Sequence, residues 1–312
     1  MDSATAEPRE LTREAPEALH VVKQRHPWRW VSVAVALVLA AQMVVSMVTN
    51  DAYRWDVFAE YLFSEAILSG LLLTLEVTVL AMSLGIVLGI VIALCRMSQN
   101  PILSRFAWFY TWIFRGTPTL VQLIFFYNLS ALYPRLTLAI PFGPELHSWP
   151  TNAVISAMVA GVLGLGLNEA AYMSEIVRGG LLSIDRGQTE AAKGLGMTPW
   201  HTFRRIVLPQ AIRVIIPPTF NNIIGMLKYS SLVSVLSLGD LLYVSEQIFS
   251  RNFQPIPLLL VASAWYLVCT SILMVAQIYI ERIFGRGVAR PGATRIGPVR
   301  AGGRMVRKVV RG

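Results

Sequence analysis

Four charged side chains lie inside otherwise apolar stretches of this sequence, and they are the residues best placed to do chemistry. They are Glu76, Arg115, Glu169 and Lys228. Because a charge in hydrocarbon is costly, such residues either line a transport or ion pathway or pair with a neighbour. Glu169 and Lys228 could meet the ammonium and carboxylate groups of a zwitterion, or could form an ion pair with each other. For Arg115 we favour anchoring or pairing near the membrane surface.

The stretches around these charges are typical of membrane-spanning helices. Hydrophobic residues make up 54% of the 312-residue chain and charged residues 14%. A helix needs about 20 mostly apolar residues to cross about 30 Å of hydrocarbon. We therefore predict an all-α integral membrane protein with six transmembrane helices, since a β-barrel would show short alternating segments. The long apolar runs lie between residues 29–51, 65–96, 105–135, 145–169, 213–240 and 251–281.

Small and helix-breaking residues divide these predicted spans. Gly85 and Gly89 have the spacing that lets a neighbouring helix approach closely. The proline-rich segment 131–150 is expected to be an external loop, and residues 240–253 are expected to form an amphipathic surface helix. Proline removes a helical hydrogen bond, and we expect breaks where prolines or serines cluster. The predicted breaks lie at Gly116–Pro118, Pro217–Pro218 and Ser230–Ser231.

The distribution of Lys and Arg predicts the orientation of the chain. They number 5 in the N-terminal tail, 2 in the loop 96–105, 6 in the loop 178–213 and 9 in the C-terminal tail, against 3 on the opposite side. Because cytoplasmic loops carry an excess of positive charge, we expect both termini in the cytoplasm. The basic C-terminal tail could touch anionic lipid. It lacks stacking aromatic residues, so we do not expect nucleic-acid binding.

The loop after the fourth span carries the most distinctive spacing in the chain. It opens with strongly helix-forming residues, in which Ala191 and Ala192 are expected to form a small, flat face. Gly196 allows a tight turn, and Thr198–Pro199 is a typical helix start. The loop reads Glu190-Ala191-Ala192, three residues, Gly196, nine residues, Ile206, one residue, Leu208-Pro209.

This spacing resembles, without a gap, the EAA loop of permease subunits of ATP-binding-cassette (ABC) importers. In that family the loop is a pair of short helices that docks on a separate cytoplasmic ATPase. The resemblance implies a type I fold with a five-helix core, to which this chain adds one N-terminal helix. It also implies ATPase-coupling roles for Glu190, Ala191, Ala192, Gly196, Leu208 and Pro209.

Further motifs resemble the polar amino acid permeases, which include histidine, glutamine, arginine and opine importers. They are Phe114–Pro118, Leu167–Tyr172, Glu175–Gly180 and Lys228–Val235. The last departs from the family pattern at Tyr229, where an acidic residue or Thr is usual. On the residues and motifs together, the candidates for the substrate path are Gln122, Asn168, Glu169, Lys228, Ser230 and Ser231.

The same resemblance implies partners. It implies two ATP-binding subunits, a second permease copy, identical or related, an extracytoplasmic solute-binding protein and a polar amino acid substrate, with membrane lipid around the spans. The chain itself carries no phosphate-cradling Gly-x-x-x-x-Gly-Lys-Ser/Thr loop, so we expect no bound cofactor and no enzymatic activity, with ATP hydrolysed by the partner. Cys95, Cys269 and the histidines show no metal-site spacing. The expected location is the bacterial cytoplasmic membrane, crossed several times.

Two other classes of function remain open at this point. A secondary amino acid transporter could use Glu76 or Glu169 as an ion site, although that class commonly carries inverted repeats and more spans. A membrane enzyme would need clustered catalytic residues, which the sequence does not offer. The predicted division is a tail at 1–29, a helix at 30–49, a permease domain at 66–283 with its coupling loop at 179–208, and a basic tail at 284–312.

Overall fold

The described chain is mainly helical. The computed structural model describes residues 27–140 and 144–284, so nearly all of both predicted tails lies outside the described residues. The chain divides into two units, residues 1–53 and 54–312. In the first unit, α1 (Pro27–Thr49) is an apolar helix with nearly all its described side chains exposed, and a 3-10 turn at Asp51–Tyr53 follows.

The second unit contains the predicted permease domain. A π-helical segment, Phe203–Val207, precedes one of its long helices, and a 3-10 segment, Ser230–Leu236, follows the same helix. Its helices are α2 (Trp55–Leu62), α3 (Glu65–Arg96), α4 (Pro101–Gly116), α5 (Thr119–Tyr127), α6 (Leu129–Leu132), α7 (Thr151–Val154), α8 (Ala157–Leu182), α9 (Arg186–Gly194), α10 (Pro199–Thr202), α11 (Leu208–Tyr229), α12 (Leu241–Asn252) and α13 (Pro255–Phe284).

Side-chain caps explain where several of these helices begin. An oxygen that accepts a hydrogen bond from a free N–H of the first turn stabilises a helix start. Ser64 accepts from the backbone of Ile67 to start α3, and Asn100 accepts from Ile102, next to a proline at the first position of α4. Asp240 caps α12, which confirms the predicted helix after residue 240.

The number of spans is only partly confirmed. Among the described residues, three helices are long and apolar enough to cross a membrane: Trp28–Thr49, Glu65–Arg96 and Pro255–Phe284. A fourth is added if the bent pair Pro199–Leu236 and Leu241–Asn252 counts as one span. α8 has 26 residues but carries two glutamates and an arginine, which lowers its hydropathy. The structure therefore supports a helical membrane domain without confirming six helices.

The predicted external loop contains the only strands in the described residues, so the chain is not strictly all-α. Strands β1 (Arg135–Ala139) and β2 (Glu145–Pro150) pair antiparallel, with Arg135 opposite Pro150. The Nε of Arg135 donates to the Ser148 hydroxyl at 2.8 Å. Alternating leucines and β-branched threonine in β1 favour an extended strand, which the proline count alone did not reveal.

One of the predicted breaks is absent. α11 continues through Pro217–Pro218, and the Thr219 hydroxyl donates to the Ile215 carbonyl at 2.8 Å. Prolines are tolerated in membrane helices where neighbouring groups satisfy the freed backbone. The other two predictions are confirmed, because α4 ends at Gly116 before Pro118 and α11 gives way to 3-10 geometry at Ser230.

The helices α3 and α8 pack closely along their lengths, and glycines make this contact possible. A Cβ at Gly85 would lie 2.7 Å from the Glu169 Cγ, and one at Gly89 would lie 2.5 Å from the Met173 Cβ. These distances are shorter than any normal contact, so the backbones approach as closely as glycine allows. The predicted small-residue contact is therefore confirmed, and the main apolar core forms beside it around Ala81, Leu123 and Leu165.

We expect Gly89→Ala to destabilise the domain by about 1–3 kcal/mol, because the added methyl group would overlap the side chain of Met173. The measurement is the thermal unfolding midpoint of the detergent-solubilised protein. Gly179→Ala on α8 is the matched control, since a Cβ there meets nothing within 4 Å. Equal midpoints for the two variants would contradict the close α3–α8 contact.

Candidate functional site

A cavity of about 430 Å³ lies between α8, α11 and α13. Its wall combines one carboxylate, one ammonium group and several amides with apolar side chains. Such a mixture is typical of a site for a small polar molecule. The polar and aromatic lining residues are Thr119, Asn168, Glu169, Tyr172, Asn221, Asn222, Lys228, Tyr229 and Gln277.

Glu169 is the buried acidic group of this cavity. Its side chain is packed against Gly85 of α3, and only 7% of the residue is exposed. The Nδ2 of Asn222 donates to its Oε1 at 2.7 Å. Among the described residues no ion pair joins Glu169 to Lys228, so the carboxylate is held by an amide and not by the cation of the same cavity.

Lys228 lies in the last turn of α11 with its side chain exposed. It lines the cavity with Glu169 and also a second cavity of about 380 Å³, where Ser231 and Thr270 lie. The unusual Tyr229 lines the first cavity and is 59% exposed. In the described part of the chain, no carboxylate forms an ion pair with the Lys228 ammonium group. This cation lies between the two cavities and is therefore available to an anionic group.

Two further candidate residues fix the helix break between α4 and α5. The Nε2 of Gln122 donates to the Phe114 carbonyl at 3.0 Å and to the Thr117 hydroxyl at 2.6 Å. Asn168 donates to the Gln122 Oε1 at 3.1 Å and to the Phe114 carbonyl at 2.9 Å. Asn168 lines the cavity, whereas Gln122 is buried behind it. Gln122 therefore supports the wall instead of forming it.

The remaining sequence candidates lie elsewhere. Ser230 is fully buried and its hydroxyl donates to the Leu227 carbonyl at 2.7 Å, so it does not line the main cavity. Glu76 is exposed on α3, outside the cavity lining. The Arg115 guanidinium lies 5.1 Å from the centre of the Tyr172 ring.

Sequence reasoning missed several lining residues, among them Thr119, Tyr172 and Gln277. Tyr172 lies in one of the motifs but was not singled out, and Gln277 is an amide in the apolar run of α13. An amide inside a predicted span is itself a signal of a polar neighbour or a path. Gln277 could have been found in that way, whereas Tyr172 needed the geometry.

The loop after α8 folds as two short helices joined by a sharp turn. Asp185 caps α9, accepting from the Gly187 N–H at 2.6 Å. The chain reverses at Gly196, whose φ of +74° is in the left-handed region that glycine adopts without strain. Its N–H donates to the Lys193 carbonyl at 2.9 Å, and the Met197 N–H donates to Ala192 at 3.1 Å. The predicted turn at Gly196 is confirmed.

The outer face of this loop differs from the predicted one. Glu190 and Ala191 are exposed, but Ala192 is 1% exposed. The prediction of a two-alanine face is therefore wrong for Ala192, which packs inward because α9 is folded against the segments that follow it. The exposed apolar side chains of the loop are Leu195 and Trp200, at 83% and 64%.

Leu208 and Pro209 lie at the start of α11. The π-helical segment Phe203–Val207 connects them to α10, so the loop continues into α11 without an unstructured linker. Among the described residues no group of three or more His, Cys, Asp and Glu side chains could hold a metal ion. The features that stand out are thus a polar cavity among helices and an exposed helical turn at the end of one of them.

Residues 85–285 match the family described as the binding-protein-dependent transport system inner membrane component. The match covers more than half of the chain and includes both the cavity and the loop. The chain belongs to this family. It is a multi-pass membrane permease of the ABC amino acid transporter type, which confirms the resemblance found in the sequence.

Relatives of this permease support that conclusion. It is 47% identical over 276 residues to the arginine transport system permease protein ArgU of Corynebacterium glutamicum, covering 88% of this chain and 86% of that protein. It is 38% identical over 224 residues to the octopine transport system permease protein OccM of Rhizobium radiobacter, covering 72% and 85%. A crystal structure of an amino acid ABC transporter with histidines matches with a TM-score of 0.60 and 35% identity, over 70% of this chain and 94% of that one.

Proposed function

We propose that this permease forms the path for a polar amino acid across the cytoplasmic membrane and is driven by a separate ATPase docked on the loop 179–208. The observation that carries the proposal is the cavity in which Glu169 and Lys228 present opposite charges from α8 and α11. A zwitterion offers an ammonium group to the first and a carboxylate to the second. Charge-assisted hydrogen bonds of this kind are the stronger ones available in such a site.

The substrate to assay first is arginine. The relative with 47% identity is named as an arginine transport permease. A guanidinium group could bond Glu169 beside the Asn222 amide that already donates to that carboxylate. Glutamine, histidine and opines are the alternatives, since octopine appears in the name of another relative.

The coupling loop supports ATP-driven transport. Leu195 and Trp200 expose apolar surface beside Glu190, on a turn that continues directly into α11. A partner that binds this turn would move α11, and with it Lys228 and Asn222. ATP binding would then draw two docked loops together and hydrolysis would reset them, a rigid-body switch between two packed states. Each permease has one docking loop for one ATPase subunit, so two ATPase subunits require two permeases.

The second permease also explains Glu76. This glutamate is exposed in α3, the longest of the candidate spans. Ionisable residues in spans almost always face protein or a water-filled cavity and not lipid. A second permease packed on α3 would cover it. In the proposed orientation both termini are cytoplasmic, and the opposite face, which includes the β1–β2 hairpin, receives the solute-binding protein.

Uptake of labelled amino acids by cells with and without the gene tests the function. We expect selective loss of uptake of arginine or of a few polar amino acids, with dependence on ATP and short-term insensitivity to an uncoupler. Uptake that persists without ATP and collapses with the uncoupler would instead indicate an ion-coupled secondary transporter. Unchanged uptake of every amino acid, in cells lacking other importers, would contradict the substrate class.

Replacing Glu169 by Gln tests the cavity. The substitution keeps the size of the side chain but removes the charge, and a hydrogen bond to a charged group contributes about 1.5–3 kcal/mol. We expect the efficiency of ATP-dependent uptake to fall about tenfold or more. Glu60→Gln is the matched control, because it removes an equal charge from an exposed residue of α2 outside the cavity. Equal uptake by the two variants would contradict the assignment.

Replacing Gly196 by Val tests the coupling loop. A β-branched residue at a φ of +74° is strained by about 1–3 kcal/mol, although the space around it is open. We expect loss of uptake and of co-purifying ATPase while membrane insertion is retained. Gly194→Val is the control, since this glycine also has open space around it but a helical backbone. Normal transport by the Gly196 variant would rule out this loop as the docking element.

A further inference from the structure

A third cavity, which we call the basic pocket, is separate from the other two and lies where α3 and α8 end beside α4. Its volume is about 320 Å³, and its lining residues include Arg96, Trp108, Thr111, Trp112, Arg115 and Glu175. Arg96 is the last residue of α3, and Glu175 lies two turns before the end of α8. The pocket therefore lies near the end of the spans from which the coupling loop emerges.

Positive charge dominates this pocket. Glu175 accepts from Arg178 at 2.6 Å and from Arg96 at 3.4 Å, so one carboxylate faces two guanidinium groups. Arg115 contributes a third, and no carboxylate lies within 4.0 Å of it in the described part of the chain. The buried Nε of Arg96 has no hydrogen-bond acceptor there either. The pocket thus has unmatched donors and a net positive charge.

Exposed aromatic side chains border the same pocket. Trp108 and Trp112 stack with ring centres 6.3 Å apart, and they are 51% and 60% exposed. Tryptophan favours the depth of the lipid headgroups in a membrane. The exposed surface of α4 continues with Ile102 and Phe106, at 76% and 72%. Guanidinium groups therefore adjoin an apolar helix face of the kind that acyl chains cover.

We propose that this pocket binds the phosphate group of an anionic phospholipid, with the acyl chains lying along α4. The placement in the cytoplasmic leaflet rests on the orientation given in the proposed function. Basic pockets between helices on that side fit acidic headgroups, and planar guanidinium groups suit phosphate oxygens. A zwitterionic lipid brings a compensating cation that the unmatched arginines would repel. The apolar border favours a lipid over a free phosphate ion.

Native mass spectrometry of the purified permease–ATPase complex tests this site. The probes are palmitoyl-oleoyl phosphatidylglycerol and the phosphatidylcholine with identical chains. We expect phosphatidylglycerol to be retained preferentially, and Arg115→Gln to lower its retention about fivefold, as expected for one arginine near a charged surface. Arg105→Gln is the matched control, because Arg105 is an exposed arginine of the same helix outside the pocket.

Three results would overturn the proposal. The first is equal retention of the two lipids by the wild-type complex, which requires no variant to fold. The second is an equal loss in Arg115→Gln and Arg105→Gln, which would indicate general surface charge. The third is displacement of phosphatidylglycerol by millimolar inorganic phosphate, which would make the ligand a free anion. Arg115→Lys should keep part of the retention, since it keeps the charge but not the planar group.

The two proposals fail in different ways. The lipid retention measured for the Arg115→Gln variant does not depend on whether uptake requires ATP. It also does not depend on the result for the Gly196→Val variant. If the complex transports an amino acid but shows no lipid preference, only the lipid site is wrong. If the Gly196 and Gly194 variants both transport normally, the coupling loop no longer supports the proposed cytoplasmic orientation of the loop and the termini. Lipid retention alone would not restore that support.

Discussion

The close contact between α3 and α8 is the constraint on which the rest of the structure depends. Gly85 and Gly89 allow the helices to meet at distances that no larger residue permits. In a membrane, where burial in lipid does not favour helix association, such contact supplies van der Waals packing instead. It fixes the height of Glu169 in the cavity and brings Arg96 to Glu175 at the end of the pair.

The two glutamates of α8 are held differently, and the difference corresponds to their positions. Glu169 receives one amide hydrogen bond, which leaves its charge uncompensated. Glu175 is paired with Arg96 and Arg178, so the charge there is more than neutralised. An uncompensated carboxylate suits a site that must bind and then release a cation, because a strong internal ion pair would compete with the ligand. The paired cluster suits a permanent contact.

Much of this arrangement could be predicted from the sequence, because it depends on local chemistry. Gly196 was predicted from its spacing, and the break at Gly116–Pro118 from the missing helix donor. Properties that depend on distant neighbours could not be predicted. The continuation of α11 through Pro217–Pro218 depends on neighbouring groups that satisfy the freed backbone carbonyls. The burial of Ala192 depends on how α9 folds against the segments that follow it. Gln122 is a polar residue of the kind that lines a transport path. Its hydrogen bonds to Phe114 and Thr117, however, make it a residue that holds the cavity wall in place.

α8 explains how one movement could reach every site. This single helix carries Glu169 at the cavity and Glu175 at the basic pocket, and it ends at Leu182 in the loop proposed to dock the ATPase. Its small residues pack against α3 with little room for sliding, so α3 and α8 would move together as one body. α11 receives the other end of the loop through the π-helical segment. In the proposed mechanism, a pull on the loop would therefore act on both of the helices that carry Glu169 and Lys228.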